Sequence, residues 1–285
     1  MNTKTNLDTD CRKVLNKLYF AKSLSVATLS RELGVSIPTC MKTVSDLLRS
    51  GYITEVGLAP STGGRRPVMY SIEPQRLFLV SVAMDQFVTR FAIQDISDHA
   101  LTNIQSCEFR LRNDSTCLRE ITRLLKTFVK ESGIDITRLI GVGIGMPGFI
   151  DVVKGINYSY LHIEGSSIVS YISHEIGLPV FIDNDSSLIA LAEFRFGAAR
   201  NTKNSMVLNM SWGIGLGMVL DEKIFRGHNG FAGEFSHIPI FMNGKLCSCG
   251  KRGCLETESS LKYVVEKARE AQAYAGSRLK AAFGS

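Results

Sequence analysis

Three cysteines and one histidine in the last fifth of the sequence have the spacing of a metal site. His237 lies ten residues before Cys247, and Cys249 and Cys254 follow at further intervals of two and five. Three thiolates and one imidazole are the ligand set that tetrahedral Zn²⁺ prefers where the protein supplies every ligand. Because such a site has no open position for an activated water, we expect a structural zinc. Reduced cysteines without a metal, or an iron–sulfur cluster, are the alternatives.

Composition limits the class of protein that contains this cluster. The chain has 285 residues, of which 45% are hydrophobic and 21% charged, which is typical of a soluble globular protein with two domains. No apolar run is long enough for a membrane span, and the first twelve residues lack the apolar region of a signal peptide. We therefore expect a cytoplasmic protein whose cysteines are reduced. The four other cysteines are scattered singly and are expected to pack as small apolar groups.

Positive charge is concentrated in the N-terminal quarter. Residues 1–76 contain 11 Lys and Arg against 6 Asp and Glu, a net of +5, whereas the other 209 residues contain 22 against 21. A basic segment on a nearly neutral body favours an N-terminal module that binds nucleic acid. A basic, solvated surface without a partner is the simpler alternative.

The periodicity of this basic segment predicts three short helices. The first covers residues 10–20 with Asp10 as its expected cap, the second covers 25–34 and the third 36–51. A serine opens the second and third helices and a glycine ends each of them, as is usual for caps. The order of helix, short turn and helix is that of the helix-turn-helix motif.

In that motif the later helix lies in the major groove and reads base edges near its N-terminus. The predicted groove contacts are therefore Thr39, Lys42 and Thr43.

Two alternating segments after these helices predict a β-hairpin. They are residues 52–56 and 68–72, and the tip between them carries Arg65 and Arg66. Paired arginines on such a wing are suited to contacts with phosphates or the minor groove. Together with the helices, the hairpin predicts a winged helix-turn-helix DNA-binding domain over residues 1–76. An adaptor that uses the same shape to bind another protein is the alternative.

From residue 77 onward, strands alternate with helices. The predicted strands are 77–85, 89–97, 106–112, 139–151, 178–185, 205–212 and 213–227, and the predicted helices are 117–133, 167–177 and 186–197. The repeated order of three strands, helix, strand and helix predicts a two-lobed α/β domain with a ligand between the lobes, at the carboxyl ends of strands. We expect a first lobe over residues 77–200 and a second lobe, which includes the zinc site, over 201–285.

Three segments closely resemble a known family. They are GIGLGMVLDEKIFRGHNGFAGEFSHIPI followed by CSCGKRGCLE, the segment FIDNDSSLIALAE, and the segment STGGRRPVMY. The first two resemble the ROK family of repressors, open reading frames and sugar kinases, and the third resembles its repressor branch, which includes the N-acetylglucosamine and xylose repressors. The resemblance covers nearly the whole chain. It implies an actin-like, ribonuclease H-like sugar-kinase fold and the same four zinc ligands.

The resemblance also implies a sugar site. The family positions that contact sugar are occupied by Gly148, Asn184, Asp185, Glu234, His237 and Glu256. Buried carboxylates and amides bind adjacent hydroxyl groups and disfavour an analogue that lacks one of them. In the family's kinases the residue that matches Asp185 is the general base, but binding a hydroxyl or capping the next helix would retain it without catalysis.

The nucleotide site implied by the resemblance is incomplete. The kinases carry an Asp-x-Gly-Gly-Thr motif that lets backbone amides approach phosphates, whereas Phe87 and Val88 occupy the two glycine positions after Asp85. The glycines of residues 213–217 remain as a phosphate loop or simply as a tight turn. The sequence also ends soon after the zinc motif, where family members normally continue, which implies a truncated second lobe without an adenosine pocket.

These expectations combine in a sugar-responsive transcriptional repressor that is not an enzyme. It would bind a pseudo-palindromic operator as a homodimer or other homo-oligomer, such as a tetramer, without membrane association. A sugar or sugar phosphate in the cleft would change its affinity for DNA. A residual sugar kinase with an accessory DNA-binding module, and a zinc-stabilised adaptor for another protein, are the alternatives.

Overall fold

The structure is a computed structural model that describes residues 8–60, 66–97 and 99–283. Its helices are α1 Thr9–Ala21, α2 Val26–Leu33, α3 Ile37–Arg49, α4 Ser115–Glu131, α5 Ile168–Ile176, α6 Asp185–Arg195, α7 Leu255–Ser259 and α8 Leu261–Phe283. Its strands are β1 Leu24–Ser25, β2 Ile53–Leu58, β3 Val68–Ile72, β4 Phe78–Met84, β5 Val88–Asp95, β6 Gln105–Glu108, β7 Leu139–Met146, β8 Ile150–Asp151, β9 Ile156–Asn157, β10 Val180–Asn184, β11 Ser205–Met210, β12 Ile214–Leu220 and β13 Lys223–Ile224. Across these residues, no helix combines the length and apolar character that a membrane span requires.

Local capping interactions define α2 and α3, as predicted. The hydroxyl groups of Ser25 and Ser36 each accept a hydrogen bond from the backbone N–H three residues further along the chain. Gly34 ends α2 in the left-handed conformation with a φ of 66°. These are the usual caps of short helices, and they place a tight turn between α2 and α3.

The prediction that Asp10 caps the first helix is wrong. The cap is Asp8, whose Oδ1 accepts a hydrogen bond from the backbone N–H of Cys11 at 2.7 Å. Because the helix already begins at Thr9, Asp10 lies inside its first turn, where an acidic side chain still interacts favourably with the helix dipole.

The helices α1–α3 share a buried core with a sheet of order β1-β3-β2. Val14, Leu18, Leu29 and Leu47 are almost inaccessible within it. Leu77, the first residue expected to belong to the body, is part of the same cluster. The body therefore packs directly against the N-terminal module.

The main sheet of the body has the order β10-β7-β4-β5-β6. Strands β10, β7 and β4 are parallel, and β5 and β6 are antiparallel to their neighbours. Helices α4 and α5 contribute buried side chains to the cluster around this sheet. Met146 and Asn184, the last residues of β7 and β10, lie opposite each other, so the loops after both strands meet at one edge. The prediction of a mixed α/β fold is confirmed.

A smaller antiparallel sheet of order β11-β12-β13 follows, with α6 packed against it. Gly215 and Gly217 lie inside β12, within the strand predicted over 213–227, so the alternative of a tight turn does not hold for them. A Cβ atom at Gly217 would collide with the backbone oxygen of Ser186 and the Cβ of Ala190 on α6. These glycines therefore permit close packing between a strand and a helix.

Candidate functional site

A cleft of about 430 Å³ lies between the two sheets. It is bounded by the loops after β7 and β10, by the bend between β11 and β12, and by the segment 226–237 together with α7. This volume is typical of small-molecule sites, and the edge where the parallel strands end is where such folds usually bind ligands.

Asn184 organises the bottom of this cleft by capping α6. Its Oδ1 accepts hydrogen bonds from the backbone N–H groups of Ser186 and Ser187 at 3.0 and 3.1 Å. Its Nδ2 donates to the carbonyl oxygen of Gly148 at 3.2 Å. Gly148 has a φ of 108°, and a Cβ atom there would come within 2.8 Å of Asn157 Oδ1. Two of the predicted sugar-binding residues are thus joined directly to each other.

The helix-capping role expected for Asp185 is therefore wrong, because Asn184 performs it. Asp185 is the first residue of α6, and its Oδ1 accepts from the backbone N–H of Ser186 at 2.7 Å. Burial raises the pKa of Asp185, and the negative charge of Asp85 raises it further. The carboxylate lines the cleft, where its other oxygen can accept a hydrogen bond from a hydroxyl group.

The other predicted carboxylates, Glu234 and Glu256, also line the cleft. Burial and the charge of Glu256 raise the pKa of Glu234 to about 7. Glu234 Oε2 lies 3.7 Å from His237 Nε2, and Glu256 Oε2 accepts from the backbone N–H of Ile214 at 3.5 Å. The structure thus brings all six predicted sugar-binding residues to one cleft.

The four predicted zinc ligands form one cluster, in which their ligand atoms all lie within 4.8 Å of one another. Cys247 Sγ is 3.4 Å from His237 Nδ1, and Cys249 Sγ is 3.6 Å from Cys254 Sγ. Tetrahedral zinc with ordinary bond lengths places its ligand atoms about 3.5–3.8 Å apart, so the cluster fits this ion. His237 directs Nδ1 to the cluster and Nε2 to Glu234, and thereby connects the cluster to the cleft.

Backbone contacts also join the two segments of the cluster. The backbone N–H of Leu255 donates to the carbonyl oxygen of Ile238 at 3.1 Å, and Pro239 forms an isolated β-bridge with Cys254. The segment that carries Glu234 is therefore held next to the one that carries Glu256.

The cleft also contains an ion pair that was not predicted from the sequence. The guanidinium group of Arg226 donates to both carboxylate oxygens of Asp183, with Nη1–Oδ1 and Nη2–Oδ2 distances of 2.8 and 2.6 Å. The pair joins the end of β10 to the loop after β13. Because the partners lie 43 residues apart in sequence, no local pattern predicts their contact.

Aromatic rings form one wall of the cleft and were also missed. Phe149 stacks on the imidazole of His237 with ring centroids 6.0 Å apart, and Phe231 meets Phe149 edge-on at 5.9 Å. Such a wall can cover the apolar face of a sugar ring. Tyr160 lines the cleft as well, and its pKa is raised by burial and then by the charges of Glu256 and Asp185.

The hairpin between β4 and β5 lies at another side of the cleft. Asp85 Oδ1 accepts hydrogen bonds from the backbone N–H groups of Phe87 and Val88, both at 2.7 Å. The ring of Phe87 packs edge-on against Trp212, with centroids 5.1 Å apart. These amides are therefore bound to Asp85, and an aromatic pair joins the hairpin to the bend between β11 and β12.

The predicted DNA-contact residues on α3 lie outside the cleft. Thr39 Oγ1 is 2.8 Å from Ser36 Oγ, and Thr43 Oγ1 donates to the carbonyl oxygen of Thr39 at 3.3 Å. Lys42 is exposed. Ile37 and Met41 are large apolar residues on the same helix that sequence analysis did not single out, and they are 54% and 48% exposed.

On the hairpin, Arg66 has a structural contact. Its Nε donates to the carbonyl oxygen of Ala59 at 2.6 Å, at the loop end of the hairpin. Arg65, the other predicted wing contact, lies outside the described residues.

The family model described as the ROK family matches residues 89–280, which is more than half of the chain. The chain belongs to the ROK family. The xylose repressor of Bacillus spizizenii is 31% identical to it over 262 residues, which are 89% of this chain and 66% of that protein. The DNA-binding transcriptional dual regulator NagC of Escherichia coli is 28% identical over 218 residues, which are 76% of this chain and 53% of that protein.

A solved ROK family transcriptional regulator, described as a homologue of the E. coli MLC protein, has a TM-score of 0.73 and 26% identity. The match covers 93% of this chain and 69% of that one. The resemblance to the ROK repressors and the ROK sugar-kinase-like α/β fold are thereby confirmed. The chain spans about two thirds or less of the length of the two curated relatives.

Proposed function

We propose that the protein is a sugar-responsive, DNA-binding transcriptional repressor whose kinase-like body senses a ligand without catalysis. One observation carries this proposal. The chain has a basic three-helix module and a carboxylate-lined cleft, and α6 runs from the cleft at Asp185 to the module at Phe20. The names and folds of the relatives support a regulator of this kind.

The N-terminal module is proposed to be a winged helix-turn-helix over residues 1–76. Its net charge of +5, the turn between α2 and α3, and the hairpin of β2 and β3 support this assignment. The proposed DNA contacts are Thr39, Lys42, Thr43, Arg65 and Arg66. The exposed side chains of Ile37 and Met41 add apolar surface that can contact thymine methyl groups.

The body, residues 77–285, is proposed to bind sugar in its cleft. Asp185, Glu234 and Glu256 would accept hydrogen bonds from hydroxyl groups, while Phe149 and Phe231 would cover the apolar face of the ring. Gly148, Asn184 and His237 would complete the site, with Asn184 fixing the loop at Gly148.

A structural zinc is proposed to be held by His237, Cys247, Cys249 and Cys254, with all four positions filled by the protein. When bound, the ion supplies a rigid cross-link between the segments that carry Glu234 and Glu256. His237 would keep Nε2 directed to the cleft, because Nδ1 is committed to the metal.

Helix α6 is proposed to transmit the state of the cleft to the DNA-binding module. It begins at Asp185, and at its other end the guanidinium of Arg195 lies 4.6 Å from the centre of the Phe20 ring on α1. A ligand that moves the first turn of α6 would thereby move α1. The ligand can change DNA affinity only by as much as its own affinity differs between the two states.

Phosphoryl transfer is not part of the proposal. The amides of Phe87 and Val88, which occupy the glycine positions of the kinase motif, are hydrogen-bonded to Asp85. A phosphate donor would have to break these bonds and separate Phe87 from Trp212.

The experiment that tests this proposal measures binding of the zinc-loaded protein to promoter fragments from its own genomic neighbourhood by fluorescence anisotropy. We expect the affinity to fall steeply with salt, because phosphate contacts release counterions, and to change when a sugar is added. Lys42→Ala should weaken binding, whereas Lys130→Ala, an exposed lysine on α4, should not.

A coupled ATPase assay with several hexoses runs alongside. The proposal is contradicted if the protein phosphorylates a hexose at enzymatic rates and does not bind these promoter fragments.

A further inference from the structure

The cleft is lined by more negative than positive groups. Its carboxylates are Asp85, Asp183, Asp185, Glu234 and Glu256. Among the described residues, one arginine, Arg226, and no lysine line it. The remaining titratable nitrogen base is His237, whose Nδ1 faces the cysteine cluster. A ligand that enters the cleft therefore meets more carboxyl groups than cationic groups.

The single guanidinium of this surface is already paired. Arg226 binds both oxygens of Asp183 in a side-by-side geometry, and the two side chains are only 34% and 17% exposed. This is the strong bidentate form of an arginine–carboxylate pair. A phosphate group that sought Arg226 would have to displace Asp183 and leave that carboxylate without its partner.

The backbone amides that ordinarily bind anions are also occupied. At the N-terminus of α6, the N–H groups of Ser186 and Ser187 are bonded to the side chain of Asn184. In the hairpin after β4, two further amides are bonded to Asp85. A helix N-terminus whose amides are capped by the protein itself offers little to an added phosphate.

We infer that the ligand of this cleft is an uncharged sugar rather than a sugar phosphate, and that Asp183 determines this selectivity by neutralising Arg226. The inference rests on the proposed sugar site and specifies its ligand class. Neutral hydroxyl groups donate hydrogen bonds to carboxylates, whereas a phosphate dianion is repelled by them and finds no unpaired cation among the described residues that line the cleft.

The test measures the affinity of the zinc-loaded protein for three matched pairs by isothermal titration calorimetry. The pairs are glucose, mannose and N-acetylglucosamine, each with its own 6-phosphate. We expect at least one neutral sugar to bind about tenfold or more tightly than its phosphate ester. The difference should narrow as salt is raised, because salt screens the repulsion.

Asp183→Asn identifies the residue responsible. This change keeps the size of the side chain but releases the charge of Arg226. We expect binding of the 6-phosphate to strengthen by about tenfold, with a much smaller change for the neutral sugar. The double variant Asp183→Asn, Arg226→Met should lose this gain. Glu131→Gln, which neutralises an exposed carboxylate on α4, is the control and should change neither affinity.

The outcomes separate the inference from the proposed function. If the native protein prefers the 6-phosphates, the inference is wrong while the sugar site stands. If it binds none of these sugars or esters, and xylose does not bind either, the sugar site itself is refuted, and the inference with it. If Asp183→Asn folds but gains no affinity for phosphate esters, Asp183 does not set the selectivity. If that variant fails to fold, the affinities of the native protein for each sugar and its 6-phosphate still decide the ligand class.

Discussion

The cysteine cluster and the cleft beside it are assembled in different ways. The four residues of the cluster lie within residues 237–254, so one short segment contains all of them. The cleft combines residues from Asp85 to Glu256, which come from both sheets. A cluster of this kind is specified by spacing, whereas the cleft exists only when the two sheets are packed together. The comparison predicts that a substitution in the cluster weakens sugar binding in the cleft, whereas a substitution in the cleft leaves zinc binding by the cluster unchanged.

The largest effect is expected from Cys254→Ala. Loss of a buried ligand should abolish zinc binding and release α7 from the segment that carries Glu234, because metal binding is coupled to folding. We expect the melting temperature to fall by about 10 °C and sugar binding to be lost. Elemental analysis and thermal unfolding measure these changes. Cys107→Ala, outside the cluster, should retain zinc and sugar binding. Unchanged sugar affinity in metal-free Cys254→Ala would show that the two regions are independent.

The second prediction concerns Asp185→Asn, a change in the cleft that should leave the cysteine cluster unaffected. The amide keeps the shape of the side chain but weakens its hydrogen bond to a sugar hydroxyl. Sugar affinity should fall by roughly 10- to 100-fold, because a hydrogen bond to a charged group is replaced by a weaker one to a neutral group. Calorimetry gives the affinity, and zinc content and melting temperature should remain native. Asp221→Asn, at an exposed position, is the matched control. A loss of zinc in Asp185→Asn would contradict the predicted asymmetry.

A third, smaller effect concerns the link between cleft and module. Arg195→Ala removes the contact with Phe20 at the far end of α6. We expect the change in DNA affinity caused by sugar to shrink by about threefold, since exposed cation–π contacts are weak. DNA affinity without sugar should stay near its native value. Anisotropy titrations with and without sugar measure the coupling, and Arg200→Ala is the control. Full coupling in the absence of Arg195 would remove α6 from the proposed route.

The smallest effect is purely local. Asp8→Ala removes the cap of α1 and should lower the melting temperature by a few degrees, whereas Asp10→Ala should have less effect. Thermal unfolding of the two variants compares a cap with a first-turn carboxylate. Equal losses would mean that the charge of either residue, rather than the hydrogen bond of Asp8, stabilises the helix.

Most contacts that were not predicted from the sequence are not local, although the local cap of α1 was also misplaced, at Asp10 instead of Asp8. The caps at Ser25 and Ser36 were predicted correctly, because a cap depends on a hydrogen bond that spans three residues. At α6 the predicted cap was Asp185, whereas the observed cap is Asn184, because the start of the helix depends on where β10 ends. Gly217 fell within a predicted strand, but its proximity to α6 could not be read from its neighbours in sequence.

The sequence by itself determined the mixed α/β fold, the residues of the cysteine cluster and the family. These depend on periodicity, spacing and short motifs, which record interactions between near neighbours. The tertiary structure alone decided that Arg226 is paired with Asp183, that Phe87 meets Trp212, and that Arg195 reaches Phe20. Such contacts join residues far apart in the chain, and they form only when the packing of sheets and helices brings their side chains together.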